Sequence, residues 1–248
     1  MPNRTDRLSI GQKIAAWAVH VFTASGVIFG FLALLAVLDG EIVSAFLWLG
    51  VALLIDGVDG ELARHADVRR VTPWIDGAAL DHIIDYFTYV IVPAVMIYRF
   101  GFVPAGWETP AAAAIMAVSC YTFINTAAKT EDYYFSGFPA LWNVVVLYFY
   151  ILQPDPAINL AIIAGFCVLT FIPLKYVHPF RVHRWRGLSI LATIVWAAAS
   201  VRLLLAEPIA ISAEAAAPTV FWIWVAASLY FVAISLGRSL RAEPADGG

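Results

Sequence analysis

The sequence predicts an all-α fold, a polytopic membrane helix bundle of about eight transmembrane helices. Three observations predict it. Of 248 residues, 62% are hydrophobic and only 13% are charged, about half the charged share of a soluble globular domain. The mean hydropathy is +0.81. The apolar residues fall into runs of roughly 20, the length a helix needs to cross a bilayer. In lipid a spanning segment must satisfy its own backbone hydrogen bonds, and runs of this length do so as helices.

The runs lie near residues 15–38, 42–63, 77–99, 110–128, 139–153, 157–175, 188–206 and 217–237. The first follows a polar start (Asn3, Arg4, Thr5, Asp6, Arg7) without a convincing cleavage site, so it reads as a span and not as a signal peptide. The second ends in a dense polar segment, Asp56 to Arg64, and a basic loop. The third opens at Asp76-Gly77, with Asp76 the natural N-cap. The fifth begins behind Gly137 and Pro139, which punctuate a turn. Cys120 and Cys167 fall in apolar runs and read as buried small hydrophobes, not as a disulfide or metal pair.

The basic residues alternate between loops. Arg4, Arg7 and Lys13 precede the first run, and Arg64, Arg69 and Arg70 follow the second. Lys129 follows the fourth, Lys175, Arg181, Arg184 and Arg186 the sixth, and Arg238 and Arg241 the eighth. The intervening loops carry Asp39, Glu41, Glu108, Asp155, Glu207 and Glu214, with only Arg99 and Arg202 nearby. This is the positive-inside pattern, and it puts both termini in the cytoplasm. The net charge of −3 says little about partners, because the charges are segregated along the chain. No Gly-rich phosphate loop or soluble domain is present, and no nucleic-acid partner is expected.

The chemistry concentrates in residues 56–85. Asp56 and Asp59 are three apart, about 60° on a helix. Asp81 and Asp85 are four apart and lie one above the other. Two helices can therefore present two acids each to one point, at the cytoplasmic end of the second and third spans. Such a cluster is intolerable in lipid unless protons or cations neutralise it. A hard divalent cation, Mg²⁺, Mn²⁺ or Ca²⁺, takes carboxylate oxygens. Glu61 and His82 fall away from this face. Arg69 and Arg70 read as an anchor for anionic lipid heads.

The pattern Asp56-xx-Asp59-Gly60-xx-Ala63-Arg64…Gly77-xxx-Asp81-xxx-Asp85 constrains eight positions and resembles the signature of the CDP-alcohol phosphotransferases. The Arg64–Gly77 gap is longer than in most of that family. With Leu80-Asp81 and Asp85-Tyr86, it is similar to the bacterial branch whose members make phosphatidylcholine from CDP-diacylglycerol and choline.

The resemblance implies a catalytic core over residues 15–186, holding six helices. The N-terminal segment 1–14 and the tail 238–248 would be cytoplasmic, and residues 187–237 would add two scaffold helices. It implies a multi-pass protein of the bacterial inner membrane, active site toward the cytoplasm, with a homodimer possible. It also implies two divalent ions, Mn²⁺ or Mg²⁺, held by Asp56, Asp59, Asp81 and Asp85, with Asp85 as general base. Gly60, Ala63, Arg64 and Gly77 would meet the nucleotide and diphosphate. Thr23 and Ser25 on the first span would line the same side; small residues there also permit close helix packing.

Two further segments face the same side. Residues 125–143 interleave acids with aromatics. By composition they read as an interfacial aromatic belt. A quaternary ammonium is also held by aromatic faces and carboxylates, and the segment resembles the corresponding loop of that branch. Glu131, Tyr133, Tyr134 and Trp142 have the side and the chemistry for choline, as does Tyr86, one position after Asp85, for which helix packing is the alternative. Residues 173–186 read as topogenic charge and lipid contact, and the resemblance assigns Lys175, His178 and Arg181 to the lipid phosphate.

The reaction expected is transfer of the phosphatidyl group from CDP-diacylglycerol to choline with release of CMP. Serine, glycerol 3-phosphate and inositol are alternative acceptors within the same chemistry. A cation transporter is the reading of a different class, but it needs access from both sides, and the strong acids lie at one end.

Overall fold

The fold was obtained as a computed structural model, which describes residues 8–125, 135–172, 175–176, 186–206 and 218–239. Ten α-helices are described: α1 (Ile10–Leu38), α2 (Ile42–His65), α3 (Val68–Val71), α4 (Gly77–Asp85), α5 (Val92–Arg99), α6 (Glu108–Ile124), α7 (Trp142–Leu152), α8 (Pro156–Leu169), α9 (Arg186–Leu204) and α10 (Pro218–Ser239). A π-helical segment, Tyr86–Ile91, joins α4 to α5. Strands β1 (Phe135–Ser136) and β2 (Lys175–Tyr176) form a single antiparallel pair. The chain divides into two compact units, Met1–Met96 and Ile97–Gly248.

Among the described residues, α1, α2, the continuous Gly77–Arg99 helix and the Gly187–Leu204 part of α9 are long and apolar enough to cross a membrane. The protein is therefore a multi-pass membrane protein. Shorter apolar helices occupy the other expected spans. The shortest, α7, has 11 residues and rises about 16 Å, roughly half a hydrocarbon core. It is stopped on both sides by left-handed residues, Ala140 (φ 54°) and Gln153 (φ 46°).

In the first unit, a capping box starts α1: Gln12 N–H donates to Ser9 Oγ (3.1 Å) and Ser9 N–H to Gln12 Oε1 (2.8 Å). The helix ends at Gly40, whose φ of 83° only glycine adopts readily. The chain then reverses into α2, which packs along α1. One face of α1 is buried through Ala16, Val19, His20, Thr23, Gly26, Gly30, Ala33 and Val37. A Cβ at Gly26 would meet Ile84 at 3.0 Å, and one at Gly30 would meet Phe87 and Thr88 at 2.8 Å. Missing side chains thus let the third span approach α1 closely. The opposite face exposes Ile14, Trp17, Val21, Ile28 and Phe31.

The long Arg64–Gly77 connection is not open loop. After Asp67, at φ 48°, the turn α3 buries Val68 and Val71 against Ala16 and Val19. Arg69 and Arg70 remain exposed, and Arg70 Nε pairs with Asp67 Oδ2 at 3.0 Å. Thr72 Oγ1 donates to the Val68 carbonyl (3.0 Å) and lies 2.9 Å from His20 Nε2. The Thr72 proton is committed, so His20 donates through Nε2. Asp76 caps α4 as expected, accepting from Ala78 N–H (3.1 Å) and Ala79 N–H (3.0 Å).

The π-helical segment was not foreseen. Val92 N–H bonds back five residues to Phe87 O, and Pro93 follows with no N–H to offer. A widened turn just before a proline accommodates the lost donor and the ring.

In the second unit, Trp142 is fully buried. Its Nε1 donates to Ser119 Oγ on α6 (2.9 Å), and Phe138 stacks on Phe166 beside it at 4.5 Å. Gly137, at φ 90°, lies so close to the Thr170 carbonyl that a Cβ would collide with it. Strands β1 and β2 pair Phe135 with Tyr176 and Ser136 with Lys175. A hydroxyl–indole ladder joins α7, α9 and α10. Trp196 Nε1 donates to Tyr148 OH (3.0 Å), Tyr148 to Ser228 Oγ (2.6 Å), and Trp224 Nε1 to Ser200 Oγ (2.9 Å). Polar pairs of this kind hold helices together where lipid gives little hydrophobic drive. Neither cysteine forms a disulfide. The expected burial is not met: Cys120 is exposed and Cys167 half-buried. In lipid an outward face is apolar too, so hydrophobicity alone does not mark the inside.

Candidate functional site

The acid site lies wholly within the first unit. Asp56 and Asp59 sit on α2, Asp81 and Asp85 on α4. The α1 glycines let α4 and the π-helical segment close on α1, and α2 packs along the same helix. Ligand oxygens of Asp56, Asp81 and Asp85 lie within 4.8 Å of one another, each residue half-buried. Two like charges at that distance repel by about 3.5 kcal/mol at an effective dielectric of about 20. Three of them need protons or a cation to neutralise them. Every donor in the group is a carboxylate oxygen, which fits a hard divalent ion and not a soft metal. The residues present can therefore hold a metal ion.

Asp59 stands apart from that trio. It is buried and faces α1, with the Thr23 side chain against its carboxylate. Thr23 thus reaches the acid site. Ser25 does not: two residues on, it lies about 200° round the helix, and its hydroxyl donates to its own helix at Phe22 O (2.6 Å).

Arg64 is exposed and pairs with Glu61 one turn back. His65 adds to the same carboxylate, Nδ1 to Oε1 at 3.5 Å. Glu61 is therefore off the acid face, as expected. Gly60 is open, with Arg64 Nη1 3.6 Å from where its Cβ would stand. Ala63 packs on the α1–α3 cluster of Ala16, Val19, Val68 and Val71, a packing position. Gly77 faces His20, whose Cε1 is 3.6 Å from the glycine's Cβ position.

Tyr86 is half-buried directly after Asp85. Trp142 lies inside the packed core of the second unit, with its indole nitrogen bonded to Ser119. Glu131, Tyr133, Tyr134, His178 and Arg181 lie outside the described residues, and Lys175 is described only through its backbone in β2. That strand pairs with β1, so residues 135–136 of one polar segment lie beside residues 175–176 of the other.

One residue of the site was missed. Tyr89 is buried, and its hydroxyl donates to Asp56 Oδ2 at 2.6 Å. A signal existed, since 81, 85 and 89 form one i, i+4 series.

The comparisons with known proteins agree with this geometry. The CDP-alcohol phosphatidyltransferase family model matches residues 16–172, a stretch containing all four aspartates. Phosphatidylcholine synthase of Pseudomonas aeruginosa is 46% identical over 230 residues, 93% of this chain and 94% of that protein. Phosphatidylcholine synthase of Legionella pneumophila is 44% identical over 174 residues, 70% of this chain and 68% of that protein. Phosphatidylcholine synthase of Rhizobium meliloti is 39% identical over 193 residues, 78% and 80% respectively.

Proposed function

The chain belongs to the CDP-alcohol phosphatidyltransferase family, and on that premise we propose that it makes phosphatidylcholine, transferring the phosphatidyl group of CDP-diacylglycerol to choline with release of CMP. The observation that carries the reading is the convergence of Asp56, Asp81 and Asp85 within 4.8 Å, inside the family-matched stretch. The relatives' name, phosphatidylcholine synthase, supports the choice of acceptor.

Asp56, Asp59, Asp81 and Asp85 would hold two divalent ions, Mn²⁺ or Mg²⁺. Bound there, the ions supply a clamp on the diphosphate and positive charge where the leaving phosphate gains negative charge. The chain's own residues do the rest. Asp85 accepts the proton of the choline hydroxyl, whose oxygen forms the new bond to the lipid-side phosphorus. The bond from that phosphorus to the CMP oxygen breaks, and CMP leaves with the electron pair. Arg64 exchanges its exposed Glu61 partner for diphosphate oxygens, a small cost because surface pairs contribute little. Thr23 orients Asp59. Tyr86, next to Asp85, offers a ring face to the trimethylammonium group; Glu131, Tyr133 and Tyr134 have the chemistry for the same role. Lys175, His178 and Arg181 take the lipid phosphate. The reaction faces the cytoplasmic leaflet of a bacterial inner membrane, and the family resemblance suggests a homodimer.

The test is CMP release by the purified protein in mixed micelles, with CDP-diacylglycerol and one alcohol at a time. Choline is the expected acceptor. Consumption of serine, inositol or glycerol 3-phosphate without choline would overturn the acceptor and leave the family chemistry standing.

A further inference from the structure

Tyr89 has no counterpart in the eight-position pattern, yet it makes a direct hydrogen bond to a cluster carboxylate. Its hydroxyl reaches Asp56 Oδ2 at 2.6 Å, bridging the π-helical segment to α2 across 33 residues of sequence. That length is short for an O–H···O bond. The phenol sits one helical turn beyond Asp85 and two beyond Asp81, and both carboxylates lie within its electrostatic reach. Its residue is 7% exposed, so loop water does not substitute for the bond. The neighbouring hydroxyl, Thr88 Oγ1, turns the other way and donates to Ile84 O at 3.0 Å.

A tyrosine hydroxyl donates one hydrogen bond only. Spent on Asp56, it occupies one of the four or so lone-pair sites of that carboxylate and leaves the others. Asp56 is the one member of the converging trio that comes from α2. Asp81 and Asp85 are aligned by their shared helix, whereas Asp56 must be aimed across from its own. A buried donor from the opposing helix does that. The widened turn before Pro93 carries Tyr89, so the helix irregularity falls where the aiming residue is needed.

We propose that Tyr89 is a positioning residue of the metal centre, holding the Asp56 carboxylate toward Asp81 and Asp85 before any ion or substrate binds. The proposal rests on the metal reading given above. Outer partners of metal ligands of this kind change metal affinity 10–100-fold when removed. Tyr89→Phe deletes the hydroxyl and keeps the ring.

The experiment is Mn²⁺ binding to the purified full-length protein in detergent without substrate, read by electron paramagnetic resonance of unbound Mn²⁺. Tyr89→Phe is expected to weaken binding 10–100-fold, with thermal melting and gel-filtration profile unchanged, and turnover is expected to return at saturating Mn²⁺. In an Asp56→Ala background the same change should have no further effect, because the bond it removes has already lost its acceptor. Unchanged Mn²⁺ affinity in Tyr89→Phe overturns the proposal while wild-type binding upholds the metal reading. Turnover lost at saturating Mn²⁺ also overturns it, since the phenol would then act on the reacting atoms. Wild-type protein that binds no Mn²⁺ overturns both. Thr88→Val is the neighbouring control and is expected to bind Mn²⁺ like wild type.

Discussion

His20 on the first helix donates from Nε2 to Thr72 Oγ1 at 2.9 Å, and both residues are buried. The bond ties α1 to the segment that leads into α4, five residues ahead of Gly77 and nine ahead of Asp81. Thr72→Val keeps the shape and removes the acceptor, leaving the His20 donor buried and unpaired. A loss of about 1–3 kcal/mol of stability is expected, read as a lower melting temperature in detergent. Metal-saturated turnover should fall as well, since the start of α4 is loosened.

The close approach of α1 and the third span depends on Gly30. A Cβ there would stand 2.8 Å from Phe87 and Thr88. Gly30→Ala is expected to destabilise by about 1–3 kcal/mol through overpacking. Gly50→Ala is the contrast: nothing lies within 4 Å of its Cβ position, and alanine is the better helix former. Equal melting temperatures for the two variants would contradict the packing account.

The four aspartates should separate into two behaviours. Asp56→Asn, Asp59→Asn and Asp81→Asn are each expected to lower turnover by several powers of ten, because positioning and charge stabilisation fail together. Asp85→Asn is expected to retain substantial affinity for CDP-diacylglycerol and metal while losing transfer. Glu61→Gln should be mild, since Glu61 faces Arg64 and His65. Binding of metal and CDP-lipid by each variant, measured beside turnover, distinguishes the roles.

Tyr86→Ala is expected to raise the choline KM about tenfold and leave the KM for CDP-diacylglycerol nearly unchanged. Tenfold corresponds to about 1.4 kcal/mol, within the range of one desolvated aromatic face against a cation. An increase in both constants would mean that Tyr86 supports the helix rather than the acceptor.

Much of this protein was legible because lipid imposes simple rules. Runs of about 20 apolar residues located α1, α2, the third span and α9, and the helical spacing of the acids located the site. The Asp76 cap followed from its place before Gly77. Three features were not legible. The turn α3 is only four residues long, too short to show a period. The π-helical segment had one signal, Pro93, which marks a disturbance without saying which kind. Tyr89 stood in register with Asp81 and Asp85, but an aromatic inside an apolar span reads as packing until its hydroxyl is seen on Asp56. Trp142 shows the reverse: its neighbours in the polar segment suggested a binding wall, and the fold uses it as a core residue. Ser25 shows the limit of a motif read as a string, since Thr23 and Ser25 cannot face one side of a helix.

The most direct test of the central claim is product analysis of the purified protein with CDP-diacylglycerol, choline and Mn²⁺. Equimolar CMP and phosphatidylcholine, formed with Mn²⁺ or Mg²⁺ and abolished by chelator and by Asp81→Asn, is the predicted result. Undiminished phosphatidylcholine formation in chelator, or in Asp81→Asn, would contradict it.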